Sequence, residues 1–256
     1  MADSARLADV DAVALLDAFD AAAAAVGAAL AGITGEARRA RTDRPGQYAL
    51  DLVADEAATA VLARLPVSIL SEESGWSGDA TAEVTVVLDP VDGSTNAARE
   101  LPYFATSICA LDAEGPLAAL VLNHATGVAY RATRGGGASR DGAPIAASRV
   151  RRIEDAVLAL SGLPAPDLPW KQCRVLGSAA LALCDVAAGG IDGFLDVAAH
   201  HAPWDYLGGL LVCREAGAAV ASASDLDLLG PDLETRRQVL AAGTPELLDT
   251  LRRATA

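Results

Sequence analysis

The stretch from Val84 to Asn96 sets the tightest limit on what this chain can fold into. A continuous apolar run, Val84 to Leu88, breaks off at Asp89 and continues as Pro90, Val91, Asp92 and Gly93. Such a run reads as a buried strand, so its sheet needs cover from helices. Leu7, Val10, Val13, Leu16 and Phe19 recur at helical spacing within residues 5–32, and residues 55–65 predict a second helix. Runs at 67–70, 105–111, 117–122 and 128–132 are β-compatible and separated by turn residues. The second half alternates strand-like and helix-like pieces at 156–160, 179–188, 193–197, 206–216, 239–242 and 245–254. The class expected is mixed α and β with helix-covered sheets. A seam near 144–150 divides it into subdomains 1–144 and 145–256, packed together without a long linker.

Acids outnumber bases 34 to 20, for a net charge of −14, and Lys171 is the sole lysine. With no basic run, attraction to nucleic-acid phosphates or to an anionic membrane is not expected. Any phosphate-bearing ligand needs its charge cancelled locally, and a bound metal ion is the natural agent. Aromatic residues, at 4%, are too few for a base-stacking platform. The four cysteines form no C-x-x-C pair and three lie in apolar stretches, which points to reduced, mostly buried thiols. The N-terminus carries Asp3, Asp9, Asp11 and Asp17 rather than a basic leader, and the uncharged stretch 21–35 falls short of the ~20 strongly apolar residues of a membrane span. A soluble, cytoplasmic protein is the expectation.

Three places carry chemistry. Asp89 and Asp92, fixed by Pro90 and the turn at Gly93, place two carboxylates on one side of a rigid turn, a donor set that suits hard divalent cations. Ser94 and Thr95 open a helix whose first N–H groups point towards an anion. Ser71-Glu72-Glu73-Ser74 ends another strand-like run, and Trp204-Asp205 precedes the helical stretch from Tyr206. Taken singly, the acidic run reads as a solvated loop and Asp205 as an ordinary N-cap.

In this order, these pieces resemble the inositol monophosphatase family of metal-dependent, lithium-sensitive sugar phosphatases. The resemblance rests on Glu72-Glu73, on Asp89-Pro-Val-Asp92-Gly-Ser94-Thr-Asn96, and on Trp204-Asp205 followed by Gly208-Gly209 and Glu215-Ala-Gly217, with weaker matches at Arg134-Gly-Gly-Gly137 and Gly177-Ser-Ala-Ala180. It spans residues 48–217. It implies an α+β fold, a layered α-β-α-β-α sandwich with the metal site between an antiparallel N-terminal sheet and a smaller C-terminal one, and a homodimer. The implied activity is Mg²⁺-dependent hydrolysis of a small phosphate monoester, inositol monophosphate or a related polyol or sugar phosphate. Histidinol phosphate, sugar bisphosphates and 3′-phosphonucleotides are alternatives that relatives handle, and a non-catalytic cation-binding homologue is a further one.

By that likeness, Glu72, Asp89, Asp92, Asp205 and the Val91 carbonyl hold two or three Mg²⁺, with Glu72 serving the activating ion. Ser94 orients the attacking water with Asp51 as its partner. Gly93, Ser94, Ser178 and Ala179 contact substrate, and Asp196 meets sugar hydroxyls. Four clustered carboxylates repel one another and an incoming phosphate, and the bound cations reverse that field. Four features depart from the family pattern. Ala97 replaces a common aromatic residue, implying a more open pocket wall, and Leu207 is bulky where a small residue is usual. Asp51 competes with Asp55, which is read as a cap on the next helix. His200 and His201 lie in a loop, 196–204, about two residues longer than usual, and read either as polar surface or as contacts to a different substrate.

Overall fold

The computed structural model describes residues 11–163, 168–224, 226–230 and 232–255. Asp11 caps the first helix, α1 (Ala12–Ala31), by accepting the Val13 N–H. Helix α2 (Ala49–Leu62) packs beside it. Strands β1 (Ser68–Ser71), β2 (Gly75–Gly78) and β3 (Thr85–Asp92) follow, then the short helix α3 (Ser94–Ala98). Strands β4 (Ala105–Asp112), β5 (Gly115–Asn123), β6 (Ala129–Thr133), β7 (Gly137–Arg140) and β8 (Ala143–Pro144) complete an eight-stranded sheet of order β2-β1-β3-β4-β5-β6-β7-β8. The remainder gives β9 (Val157–Ser161), β10 (Gln172–Arg174), α4 (Ala179–Ala187), β11 (Gly193–Asp196), α5 (Pro203–Glu215), β12 (Ala219–Ser222), β13 (Val239–Ala242) and α6 (Pro245–Thr255). Its five strands form a second sheet of order β10-β9-β11-β13-β12.

Alternation along the strands sorts side chains into layers. One face of the large sheet, through Ile69, Val86, Leu88, Ile108 and Leu120, packs under α1 and α2. The opposite face, through Leu70, Val87, Cys109 and Val121, packs on α4 and α5, which also receive Phe194, Val239 and Ala241 of the second sheet. Leu158, Leu195 and Leu240 then face Leu247 and Leu251 of α6. The result is the α-β-α-β-α sandwich that the family resemblance implies. At Gly208 an added Cβ would meet Ser107 Oγ at 2.7 Å, and at Gly209 it would meet Leu183 Cβ at 2.6 Å. Only hydrogen at both positions lets α5 touch β4 and α4 together.

Several expectations need correction. The large sheet is not wholly antiparallel: the chain reverses twice between β1 and β3, so these neighbours run parallel. Helix α1 is long and apolar enough to cross a bilayer, contrary to the reading of 21–35 alone. In this fold it lies on the sheet, burying Leu15, Phe19, Val26 and Leu30 and pairing Asp20 with Arg131 of β6 at 3.1 Å. Of the expected stripe Phe19 is buried but Val13 is exposed, because the buried face runs through Leu15, Phe19, Ala22 and Val26. Leu7 and Val10 lie outside the described residues. Helix α2 starts at Ala49, so Asp55 is no cap. It is a buried mid-helix residue that accepts from the Ser71 hydroxyl. The glycine run after Arg134 makes the β6–β7 hairpin, where Glu215 accepts the N–H groups of Gly135 and Gly137 at 2.9 Å. All four cysteines are free, and Cys109, Cys184 and Cys213 are buried.

Candidate active site

Side chains three residues apart on a regular strand point to opposite faces. The pairing of β3 with β4 avoids this for Asp89 and Asp92: Asp89 pairs Ser107 and Asp92 pairs Ala105, so the register shifts between the two acids. Pro90, which has no N–H to lose from the ladder, sits in the bulge, and its carbonyl accepts the Thr106 hydroxyl at 2.8 Å. Asp89 Oδ1 accepts the Val91 N–H at 2.9 Å and stiffens the turn. Parallel pairing of β1 with β3 puts Ser71 opposite Leu88, and the Glu72 N–H donates to the Leu88 carbonyl. Glu72 therefore stands beside Asp89. The third acid arrives on α5, where Asp205 occupies the first turn and accepts the Ala202 N–H at 2.7 Å. It is not the N-cap, because the helix begins at Pro203, two residues before it.

Carboxylate oxygens of Glu72, Asp89 and Asp205 lie within 4.8 Å of one another. Asp92 is not part of that triad. Its Oδ2 accepts from Ser178 Oγ at 2.6 Å and from the Ala180 N–H at 2.7 Å, so it fastens the start of α4 to β3. The electrostatics fit a cation cage. Burial, then the charges of Asp205, Glu73 and Asp92, push Glu72 up to about 8. Burial and the neighbouring charges of Glu72, Asp92 and Asp205 raise Asp89 well above the ordinary carboxylate range. Burial and Asp205 raise Asp92 to about 6, against the hydrogen bonds from Ser178 and Ala180. Buried, mutually repelling oxygen donors are the set a hard divalent cation would relieve.

Asp51 sits in the first turn of α2. It is buried, and its Oδ2 accepts the Tyr48 N–H at 2.9 Å while Oδ1 has no partner. Burial, with the charge of Glu73, raises it to about 6, opposed by the hydrogen bond from the Tyr48 amide. The Ser94 hydroxyl donates to the Val91 carbonyl at 3.0 Å. Gly93, with φ 90° and ψ 38°, turns the chain from β3 into α3. Asn96 donates to the Tyr103 and Leu176 carbonyls, both at 2.8 Å, and ties α3 to the segment before α4.

A cavity of about 510 Å³ opens beside the acids, and its wall includes Glu72, Asp92, Ser178, Ala179 and Asp205 together with Ser161, His200, His201 and Arg236. Asp196 is not on its wall. It is fully buried, and its carboxylate accepts the N–H groups of Ala198, Ala199 and Val239, which turns it away from the sugar-hydroxyl contact expected of it. Ala97 is likewise no pocket wall: it is buried in the core beneath α1 and α2. Leu207 is buried between the sheets. The surface-loop reading of the histidines fails for His201, which is buried, with Nε2 2.8 Å from Ser161 Oγ and Nδ1 3.5 Å from Asp205 Oδ2. Burial lowers its pKa, but the hydrogen bond and charge of Asp205, with Asp196 and Asp92 behind, outweigh it and raise the value. Ser161 and Arg236 escaped the sequence reading. Only the adjacency of the histidine pair to Trp204-Asp205 hinted at this wall.

Comparison with known proteins agrees with this geometry. The inositol monophosphatase family matches residues 9–256. The fructose-1,6-bisphosphatase/inositol-1-monophosphatase of Archaeoglobus fulgidus is 34% identical over 215 residues, 80% of this chain and 83% of that protein. The fructose-1,6-bisphosphatase of Pyrococcus furiosus is 30% identical over 208 residues, 79% and 80% respectively. Among solved structures, the extragenic suppressor protein SuhB of Bartonella henselae superposes with a TM-score of 0.81 at 28% identity, covering 94% of this chain and 98% of that one.

Proposed function

This chain belongs to the inositol monophosphatase family and is a phosphoric monoester hydrolase, and from that premise we propose Mg²⁺-dependent hydrolysis of a small phosphate monoester, inositol monophosphate or a related polyol or sugar phosphate. The observation that carries the reading is the convergence of Glu72, Asp89 and Asp205, acids from three separate parts of the chain, with Glu72 and Asp205 on the wall of one cavity. The relatives named for inositol 1-monophosphate and fructose 1,6-bisphosphate support the substrate class. Glu72, Asp89, Asp92, Asp205 and the Val91 carbonyl would hold two or three Mg²⁺. Bound there, Mg²⁺ supplies charge neutralisation and a more acidic water.

The chain's own groups do the rest. Ser94 holds the attacking water through its hydroxyl, which is fixed on the Val91 carbonyl. Asp51 has a buried, unpartnered Oδ1 and a pKa raised to about 6, so it is suited to take a proton relayed when the Ser94 hydroxyl turns from the Val91 carbonyl, gives its proton to Asp51 and receives one from the water. The N–H groups of Gly93 and Ser94 receive phosphate oxygens, and Ser178 and Ala179 at the head of α4 line the cavity where the alcohol sits. Asp89→Asn removes one charge at nearly constant volume. It should abolish Mg²⁺-dependent phosphate release and weaken Mn²⁺ binding measured by calorimetry, with the fold retained by circular dichroism. Undiminished Mg²⁺-dependent turnover in this variant removes the assignment.

A further inference from the structure

We infer that Arg236, with His200 beside it, anchors a second anionic group on the substrate's alcohol. Within the polyol and sugar phosphates proposed above, this favours esters whose alcohol bears a further phosphate or carboxylate. This rests on the phosphomonoester reading above. Two adjacent arginines precede β13, and their surroundings differ. Arg237 is buried, and its guanidinium is spent on the carbonyls of Asp227, Thr235 and Asp232 at 2.6–2.9 Å. It is a structural clamp. Arg236 is exposed and lines the cavity, and among the described residues its one hydrogen bond is a donation to the His200 carbonyl.

A guanidinium has five donors in a planar fork that matches phosphate and carboxylate. At Arg236 most of them remain available, and no carboxylate among the described residues pairs with it. Arg236 is the one arginine or lysine among the described residues that line the acid-bearing cavity. His200 is also exposed on that wall, its ring centroid 4.7 Å from that of His201 at a 30° tilt, and the Phe194 ring lies 6.0 Å from His201. The wall of one cavity therefore carries both acids, which want a cation, and a guanidinium with donors to spare, which wants an anion. A substrate with one phosphate at the acids and a second anionic group at Arg236 satisfies both.

The test compares kcat/KM for wild type, Arg236→Gln and Arg236→Lys on a hexose bisphosphate, a phosphorylated sugar acid, inositol 1-phosphate and glycerol 2-phosphate. Loss of a charge-assisted hydrogen-bond pair is worth roughly 10- to 100-fold. Arg236→Gln should lose about that on esters with a second anionic group, at least tenfold more than on the two neutral esters, and Arg236→Lys should recover part of it. A larger loss on the bisphosphate than on the sugar acid identifies phosphate as the group recognised, and the reverse identifies carboxylate. Equal losses on all four esters, or none, overturn the inference while leaving the hydrolase reading intact. Failure of wild type to release phosphate from any ester overturns the hydrolase reading itself.

Discussion

Replacing Gly93 by alanine probes the joint on which the site turns. Gly93 lies between Asp92 and Ser94 at φ 90°, and an added Cβ would sit 2.9 Å from the Gly177 carbonyl oxygen and 3.1 Å from that of Tyr103. Both contacts are backbone atoms, so neither can swing aside. The left-handed conformation costs alanine about 1–2 kcal/mol, and forcing a methyl into a packed joint adds roughly 1–3 kcal/mol. Gly127→Ala is the control: its φ is +76° and nothing lies within 4 Å of its Cβ, so only the conformational cost applies. The difference between the variants, about 1–3 kcal/mol, isolates the close approach of the Gly93 turn to the Gly177 segment. At about 2–4 °C per kcal/mol for a chain of this size, calorimetry should place Gly93→Ala several degrees below Gly127→Ala. Phosphate release should fall by about tenfold or more in Gly93→Ala, because the turn moves Asp92 and Ser94 together, and hold in Gly127→Ala. If the two variants melt together and Gly93→Ala turns over at the wild-type rate, the turn is not wedged against Gly177 and the geometry derived for it is wrong.

Two further outcomes follow from the electrostatics. Carboxyl groups raised on folding, Glu72 to about 8 and Asp51 and Asp92 to about 6, bind more protons folded than unfolded between about pH 4 and these values. Stability of the metal-free protein should therefore be greatest at the acidic end of that window and fall as pH rises to about 8. Thermal melts in chelator should show the decline and saturating Mg²⁺ should flatten it, whereas a rising chelator profile would contradict the clustering. His201→Asn should weaken Mn²⁺ binding by about 10- to 100-fold, with kcat at saturating metal falling less, since the ring braces Asp205 against Ser161. Unchanged metal affinity would reduce His201 to a wall residue.

The parts of this fold written locally were legible before the structure. Apolar runs gave β4 and β5 to within two residues at each end, and β13 to the residue. The layered architecture came from the family resemblance, since composition and pattern alone reach only mixed α and β. Strands β2 and β10 have no such run: Gly75–Gly78 is partly or fully exposed along its length, and Gln172–Arg174 is three residues at a sheet edge, so neither buries enough apolar surface to mark the sequence. The start of α2 was misplaced because Asp55 resembles a cap. The true signal was Asp51, whose carboxylate returns to the Tyr48 N–H three residues earlier. Asp196 departs from its expected role for a different reason. Its position matched a family pattern, but whether a buried carboxylate faces a cavity or its own backbone depends on the loop 197–199, whose path no spacing encodes.

What the sequence could not convey is why acids 17 and 116 positions apart, Glu72 to Asp89 and Asp89 to Asp205, meet at all. The answer lies in strand direction. Because β1 and β3 run parallel, their C-terminal ends reach the same edge of the sheet, and the Ser71–Leu88 register sets Glu72 beside Asp89. An antiparallel partner in that place would have carried Glu72 to the far end of β3. The layer between the sheets then supplies the third acid. Helix α5 presents its first turn, with Asp205, while the first turn of α4 donates the Ala180 N–H to Asp92. Helix N-termini carry partial positive charge, which offsets part of the repulsion among the carboxylates before any cation arrives. Assembly of the site thus depends on one parallel pairing and on the placement of two helix starts, features of topology that leave no mark in any single segment of the chain.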